Sequence, residues 1–137
     1  MGPRRRRPAA PNPRVLIVDG HEDTRELYAF ALTFYGFETA AIEDPGDAFS
    51  RARETHPDII VTEIALPRVD GWAFVEALRR SPQTAAIPVV VLTSHAEPSV
   101  RARAEREGCA AVFVKPCPPD QLAPALRDVL QHDSRSI

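Results

Sequence analysis

A three-layer α/β sandwich around a parallel, doubly wound sheet is the fold class that this sequence predicts. Five short apolar runs punctuate the chain: Val15–Val18, Phe37–Ile42, Ile59–Val61, Val89–Leu92 and Ala110–Val114. Four of them are almost continuous in Val, Ile, Leu or Ala, as strands buried on both faces require. Stretches with apolar residues at helical spacing separate the runs, and right-handed crossovers then put helices on both sides of the sheet.

The elements follow in order. After Val15–Val18, residues Leu27, Phe30, Ala31 and Phe34 give the apolar stripe of a first crossover helix, with Gly36 as its stop. The run Phe37–Ile42 carries Glu38 and Thr39, the polarity of an edge strand. Asp44 and Pro45 supply an N-cap and a first-turn proline for a second helix that ends near His56. Beyond Ile59–Val61, Asp70-Gly71 opens a third helix with Phe74, Val75 and Leu78 inward. Residues Ala96 to Glu107, after Val89–Leu92, are helical in propensity but lack large apolar side chains, and Gly108 ends them. The strongest stripe, Leu122, Ala125, Leu126, Val129 and Leu130, belongs to the last helix. The pattern is (βα)5 without internal repeat.

Its 137 residues make one domain, spanning 14–132, with a Pro/Arg-rich arm at 1–13 and a tail at 133–137. A composition of 44% hydrophobic and 26% charged residues is that of a soluble globular protein. No apolar run approaches the roughly eighteen residues of a membrane span. No apolar segment follows the N-terminal basic residues, which argues against a signal peptide and for the cytoplasm. Cys109 and Cys117 are too few for a disulfide scaffold or a zinc site and read as small structural residues. Residues 1–14 hold five of the seventeen basic residues, Arg4 to Arg7 and Arg14, and no acid, which leaves the remainder formally at −7. A globule that acidic repels a phosphate backbone, so nucleic-acid binding is expected only through the arm, which reads as disordered.

The chemistry is expected at the C-terminal ends of the strands, where open α/β sheets bind ligands. Asp19 ends the first run, Glu63 follows the third, Thr93-Ser94 the fourth and Lys115 the fifth. Lys115 is the only lysine beside sixteen arginines. A lysine offers a compact ammonium point charge where arginine offers a planar fork. In the 2-1-3-4-5 strand order of flavodoxin-like sheets, the first and third strands are neighbours. Asp19 and Glu63 then lie about 4.8 Å apart at the backbone, before their side chains extend.

Five motifs in this order resemble the receiver domain of two-component response regulators, over roughly residues 14 to 132. They are Val15-Leu16-Ile17-Val18-Asp19, Pro57-Asp58-Ile59-Ile60-Val61-Thr62-Glu63, Pro67 with Asp70-Gly71, Val91-Leu92-Thr93-Ser94 and Lys115-Pro116. The resemblance implies a phosphoryl-accepting aspartate after the third strand and a pair of acids after the first that hold Mg²⁺. It implies a Thr/Ser on the phosphoryl oxygen, a Lys paired with it, and a cis Lys-Pro bond. Three positions depart from that pattern. Glu63 stands at the acceptor position, Gly20 replaces the second acid, and Val112 stands where many receivers carry a switching aromatic. Phe113 does not deputise, because neighbouring strand residues point to opposite faces.

Mg²⁺ demands near-ideal octahedral geometry, and phosphoryl transfer depends on metal and positioning together. Losing one carboxylate and extending another by a methylene damages both, so no cofactor is expected and Mg²⁺ binds weakly at most. Asp19 and Glu63 are the residual ligand candidates. His21, Glu22 and Asp23 fall in the first turn of the first helix, where the two acids serve its N-terminus. Glu63 is placed to pair with Lys115 near Thr93, without metal.

The leading expectation is therefore a degenerate, stand-alone receiver of a phosphorelay, a non-enzymatic pseudo-receiver that acts in trans on a histidine kinase or output protein or as a homodimer. Its candidate partner face is Arg101, Arg103 and Arg106. A working phospho-receiver with an atypical acceptor is the alternative, and a phosphodonor assay separates the two. A small α/β enzyme or nucleotide binder is the distant alternative, since no glycine-rich phosphate loop follows any strand.

Overall fold

A computed structural model describes residues 12–66, 68–95 and 97–132. Strands β1 (Arg14–Val18), β2 (Glu38–Ile42), β3 (Ile59–Thr62), β6 (Val89–Thr93) and β7 (Ala111–Val114) form one sheet. Their order is β2-β1-β3-β6-β7 and every pairing is parallel, the doubly wound topology that the apolar runs predict. Two short strands, β4 (Ala65–Leu66) and β5 (Val69–Asp70), add an antiparallel hairpin after β3. The helices are α1 (Glu22–Phe34), α2 (Pro45–Thr55), α3 (Gly71–Arg80), α4 (Pro98–Arg106) and α5 (Pro119–Gln131).

Alternation along the strands divides the core in two. Leu16, Val18, Ile60, Val89 and Val91 pack with Ala48, Ala52, Phe74, Val75 and Leu78 of α2 and α3. Val15, Ile17, Ile59, Val61, Val90 and Leu92 pack on the other face with Tyr28 and Leu32 of α1 and with Leu122 and Leu126 of α5. Each fully buried Leu, Ile or Val adds about 1.5–3 kcal/mol of transfer free energy, which makes this two-sided sheet the main source of stability. Val112 packs against the first cluster and Phe113 against the second, on opposite faces of β7.

Local chemistry sets the helix starts. The Asp44 carboxylate accepts the Asp47 N–H at 3.0 Å and Pro45 opens α2. The Asp70 carboxylate likewise accepts the Trp72 N–H at 3.0 Å and starts α3. Gly71 is required by close approach: a Cβ there would lie 2.6 Å from the Ile64 carbonyl oxygen.

One expectation is corrected. The stripe Leu27, Phe30 and Phe34 does not face the sheet; these side chains are 54%, 77% and 78% exposed. The inward face of α1 is Tyr28 and Leu32, with Ala31 half-buried beside them. The helix carries two apolar faces, and the outer one has the more regular spacing. The fourth helix begins at Pro98, with Ala96 outside the described residues. The 133–137 tail, Pro67 and the arm up to residue 11 also lie outside them.

Candidate functional site

The C-terminal ends of β1, β3, β6 and β7 converge on one pocket. Register alone brings them together: Val18 pairs with Thr62, and Thr93 with Val114. Asp19, Glu63 and Thr93 are consequently all buried, at 3%, 6% and 0% exposure. Three buried polar residues at adjacent strand ends need partners, and the chain supplies them.

Lys115 is the hub. Its Nζ donates to Asp19 Oδ2 at 2.7 Å and to Glu63 Oε1 at 3.0 Å. The remaining oxygens are also engaged. Asp19 Oδ1 accepts the His21 N–H at 2.9 Å, and Glu63 Oε2 accepts the N–H groups of Ile64 at 2.8 Å and Ala65 at 3.2 Å. Thr93 Oγ1 accepts the His95 N–H at 3.1 Å, and its hydroxyl favours the charged form of the Glu63 carboxylate. The pocket is a closed hydrogen-bond network.

Its electrostatics follow from burial against pairing. Burial alone would push the Glu63 carboxyl up, but bonds from Thr93, the Ala65 N–H and Lys115 outweigh it and hold the group below its ordinary range. Burial would push the Lys115 ammonium down, but Asp19 and Glu63 outweigh that and hold it above its ordinary range. Both groups are therefore charged at neutral pH.

Two supporting contacts carry no sequence signal, because each joins a side chain to a backbone group. Arg25 Nη1 donates to the Asp19 carbonyl at 2.8 Å and brings a second cation to the mouth of the pocket. The buried Tyr28 hydroxyl donates to the Cys117 carbonyl at 2.8 Å and accepts the Cys117 N–H at 3.3 Å. That clasp fixes the turn that follows Lys115, whose peptide bond to Pro116 is cis.

The sequence-selected residues separate into two places. Asp19, Glu63, Thr93 and Lys115 share the pocket, with Gly20 half-buried at its rim and His21, Glu22 and Asp23 exposed beyond it. Arg101 and Arg106 are exposed on α4. Arg103 is engaged instead within the domain: it bonds Glu76 at 2.8 Å and Glu107 at 2.9 Å and stacks over Trp72 at 5.3 Å. Among the described residues no three His, Cys, Asp or Glu side chains cluster as a metal site, and no helix is long and apolar enough to cross a membrane.

A parallel five-stranded sheet with acid, hydroxyl and ammonium at its strand ends defines a class, and comparison with known proteins names it. The chain belongs to the response regulator receiver domain family, whose profile matches residues 15–127. It is a receiver domain of the two-component type. It is 32% identical to the phosphate regulon transcriptional regulatory protein PhoB of Escherichia coli, over 88% of this chain and 53% of PhoB. The chain thus spans about half the length of that relative. It is 28% identical to PilH of Pseudomonas aeruginosa, over 85% of this chain and 97% of PilH. Among solved structures, the Vibrio cholerae chemotaxis protein CheY4 superposes with a TM-score of 0.81 at 27% identity, covering 86% of this chain and 98% of CheY4.

Proposed function

We propose that this receiver is a non-enzymatic signalling module held in one state by its own residues, and that it acts through contacts with other proteins. The observation that carries the reading is the partnership of Glu63. Lys115, which the family pattern pairs with the phosphoryl charge, bonds the Glu63 carboxylate at 3.0 Å, and Thr93, which that pattern puts on a phosphoryl oxygen, helps to hold the carboxylate charged. A carboxylate one methylene longer than aspartate thus stands where the family pattern puts a phosphoryl group, and it is permanent.

The residues present do not suit the Mg²⁺ that the family implies. The second acid is Gly20, and all four oxygens of Asp19 and Glu63 accept hydrogen bonds from the protein. Lys115, bridging both carboxylates, already supplies the neutralising charge. A divalent ion would have to displace that ammonium and break its bonds.

Without a phosphoryl cycle, the output is binding. A histidine kinase or an output protein engaged in trans, in the cytoplasm, is the partner class that this reading names. PilH, matched over 97% of its length, supports the existence of receivers of this size in the family. Arg101 and Arg106 are exposed on α4 together with Glu105, a face of mixed charge open to such a partner.

Incubation with acetyl phosphate and Mg²⁺, followed by intact mass, tests the proposal. The native chain is expected to keep its mass, whereas the Glu63→Asp/Gly20→Asp variant gains a Mg²⁺-dependent phosphoryl adduct. A stoichiometric adduct on the native chain overturns the reading in favour of a working receiver with an atypical acceptor.

A further inference from the structure

Among the described residues, most of the exposed large apolar side chains gather on the outer face of α1 and at its C-terminal end. Leu27, Phe30 and Phe34 are 54%, 77% and 78% exposed, and Tyr35 beside them is 38% exposed. Their spacings of three, four and one set them along a single ridge, with Phe34 and Tyr35 packed edge to face at 5.3 Å. An aromatic side chain presents about 150–250 Å² when fully accessible, so the ridge exposes on the order of 400 Å² of apolar area. That is the size of the largest apolar patch on a typical monomer, about 300–600 Å², and such patches are often functional.

We propose that the partner on this face is a second copy of the same chain, in an antiparallel two-fold pairing of α1 with α1. The charge pattern favours that occupant. Glu22 and Asp23 lie in the first turn of α1 and Glu26 just beyond, and no basic residue lies in its last turn. The cation at the C-terminal end comes from α5: Arg127 Nη2 donates to the Tyr35 carbonyl at 2.8 Å, and its guanidinium stacks over Phe37 at 4.6 Å. The ridge is thus acidic at one end and basic at the other. Antiparallel pairing sets Asp23 and Glu26 of one copy against Arg127 of the other, twice by symmetry, and opposes the two helix dipoles. Phe30, near the middle of a helix about 20 Å long, then meets its own symmetry mate or Phe34 across the axis.

Area sets the strength. Two such ridges with a polar rim bury about 1,000 Å² in total, the low end for a specific interface. The association is accordingly transient and requires high concentration. It is independent of the Glu63–Lys115 pocket and survives whether or not that reading holds.

Sedimentation velocity from about 1 to 500 μM, at low and high salt, tests it. The native chain is expected to move toward twice its 15.1 kDa mass as concentration rises, and less so at high salt. Phe30→Glu/Phe34→Glu is expected to weaken association at least tenfold while melting like the native chain, since both side chains are exposed. Asp23→Arg/Glu26→Arg weakens it likewise, and adding Arg127→Glu restores it. A native chain that stays monomeric throughout overturns the proposal, whatever other protein the ridge binds. So does a dimer that persists in Phe30→Glu/Phe34→Glu, or a charge reversal with no rescue.

Discussion

Replacing Lys115 by Met removes the one cation that touches both pocket carboxylates while keeping a side chain of similar length. The side chains of Lys115, Asp19 and Glu63 are only 13%, 5% and 7% exposed, so solvent does little screening. At about 3 Å and an effective dielectric near 20, each charge pair is worth about 5 kcal/mol before desolvation. Removing one partner of a buried pair costs about 3–5 kcal/mol net, because a charge is left uncompensated. The cost here falls toward the upper end, since two carboxylates are left facing each other. For a domain of this size that corresponds to a fall in Tm of about 10–20 °C. The loss also depends on pH. Glu63 is held below its ordinary 4.5, so it stabilises the native chain above that value and stops doing so as pH falls below it. Lys115 is held above its ordinary 10.5, so its contribution is full below that value and is lost as pH rises beyond it. In Lys115→Met the Glu63 carboxyl loses the partner that lowers it and moves upward, so protonation as pH falls relieves much of the penalty. Urea unfolding of both proteins at pH 7 and pH 4.5 measures this. A difference below about 1 kcal/mol at pH 7, or one of equal size at both pH values, refutes the reasoning.

Two further outcomes follow from the supporting shell. Tyr28→Phe keeps the ring in the core but strands the Cys117 N–H and carbonyl, at a cost of about 1–3 kcal/mol, and speeds Cys117 amide exchange. Gly71→Ala drives a methyl into the Ile64 backbone, costs about 1–3 kcal/mol and shifts the Ile64 and Ala65 amide resonances that report on Glu63.

The strand runs were legible because strands buried on both faces write nearly unbroken apolar runs, whereas their order followed from the flavodoxin-like class and not from the runs themselves. The four strand-end residues were legible for the same reason, since register carries them to one place once the topology is known. Helix α1 misled because two apolar faces share one helix, and periodicity registers spacing without direction. The β4–β5 hairpin went unseen because two-residue strands leave no alternation to detect. Tyr28 and Arg25 were hidden more deeply, since each acts on a backbone carbonyl that any residue type would present. Arg103 illustrates a further limit: composition marked a charged helix face, but only the packing of α4 on α3 brings Glu76 and Trp72 to its guanidinium.

Titration calorimetry of Mg²⁺ into the native chain at pH 7 bears most directly on an ammonium serving where a metal would. No saturable heat below millimolar concentrations is expected, with Glu63→Asp/Gly20→Asp as the variant that gains it. A micromolar dissociation constant for the native chain, accompanied by release of Lys115 from both carboxylates, contradicts the account.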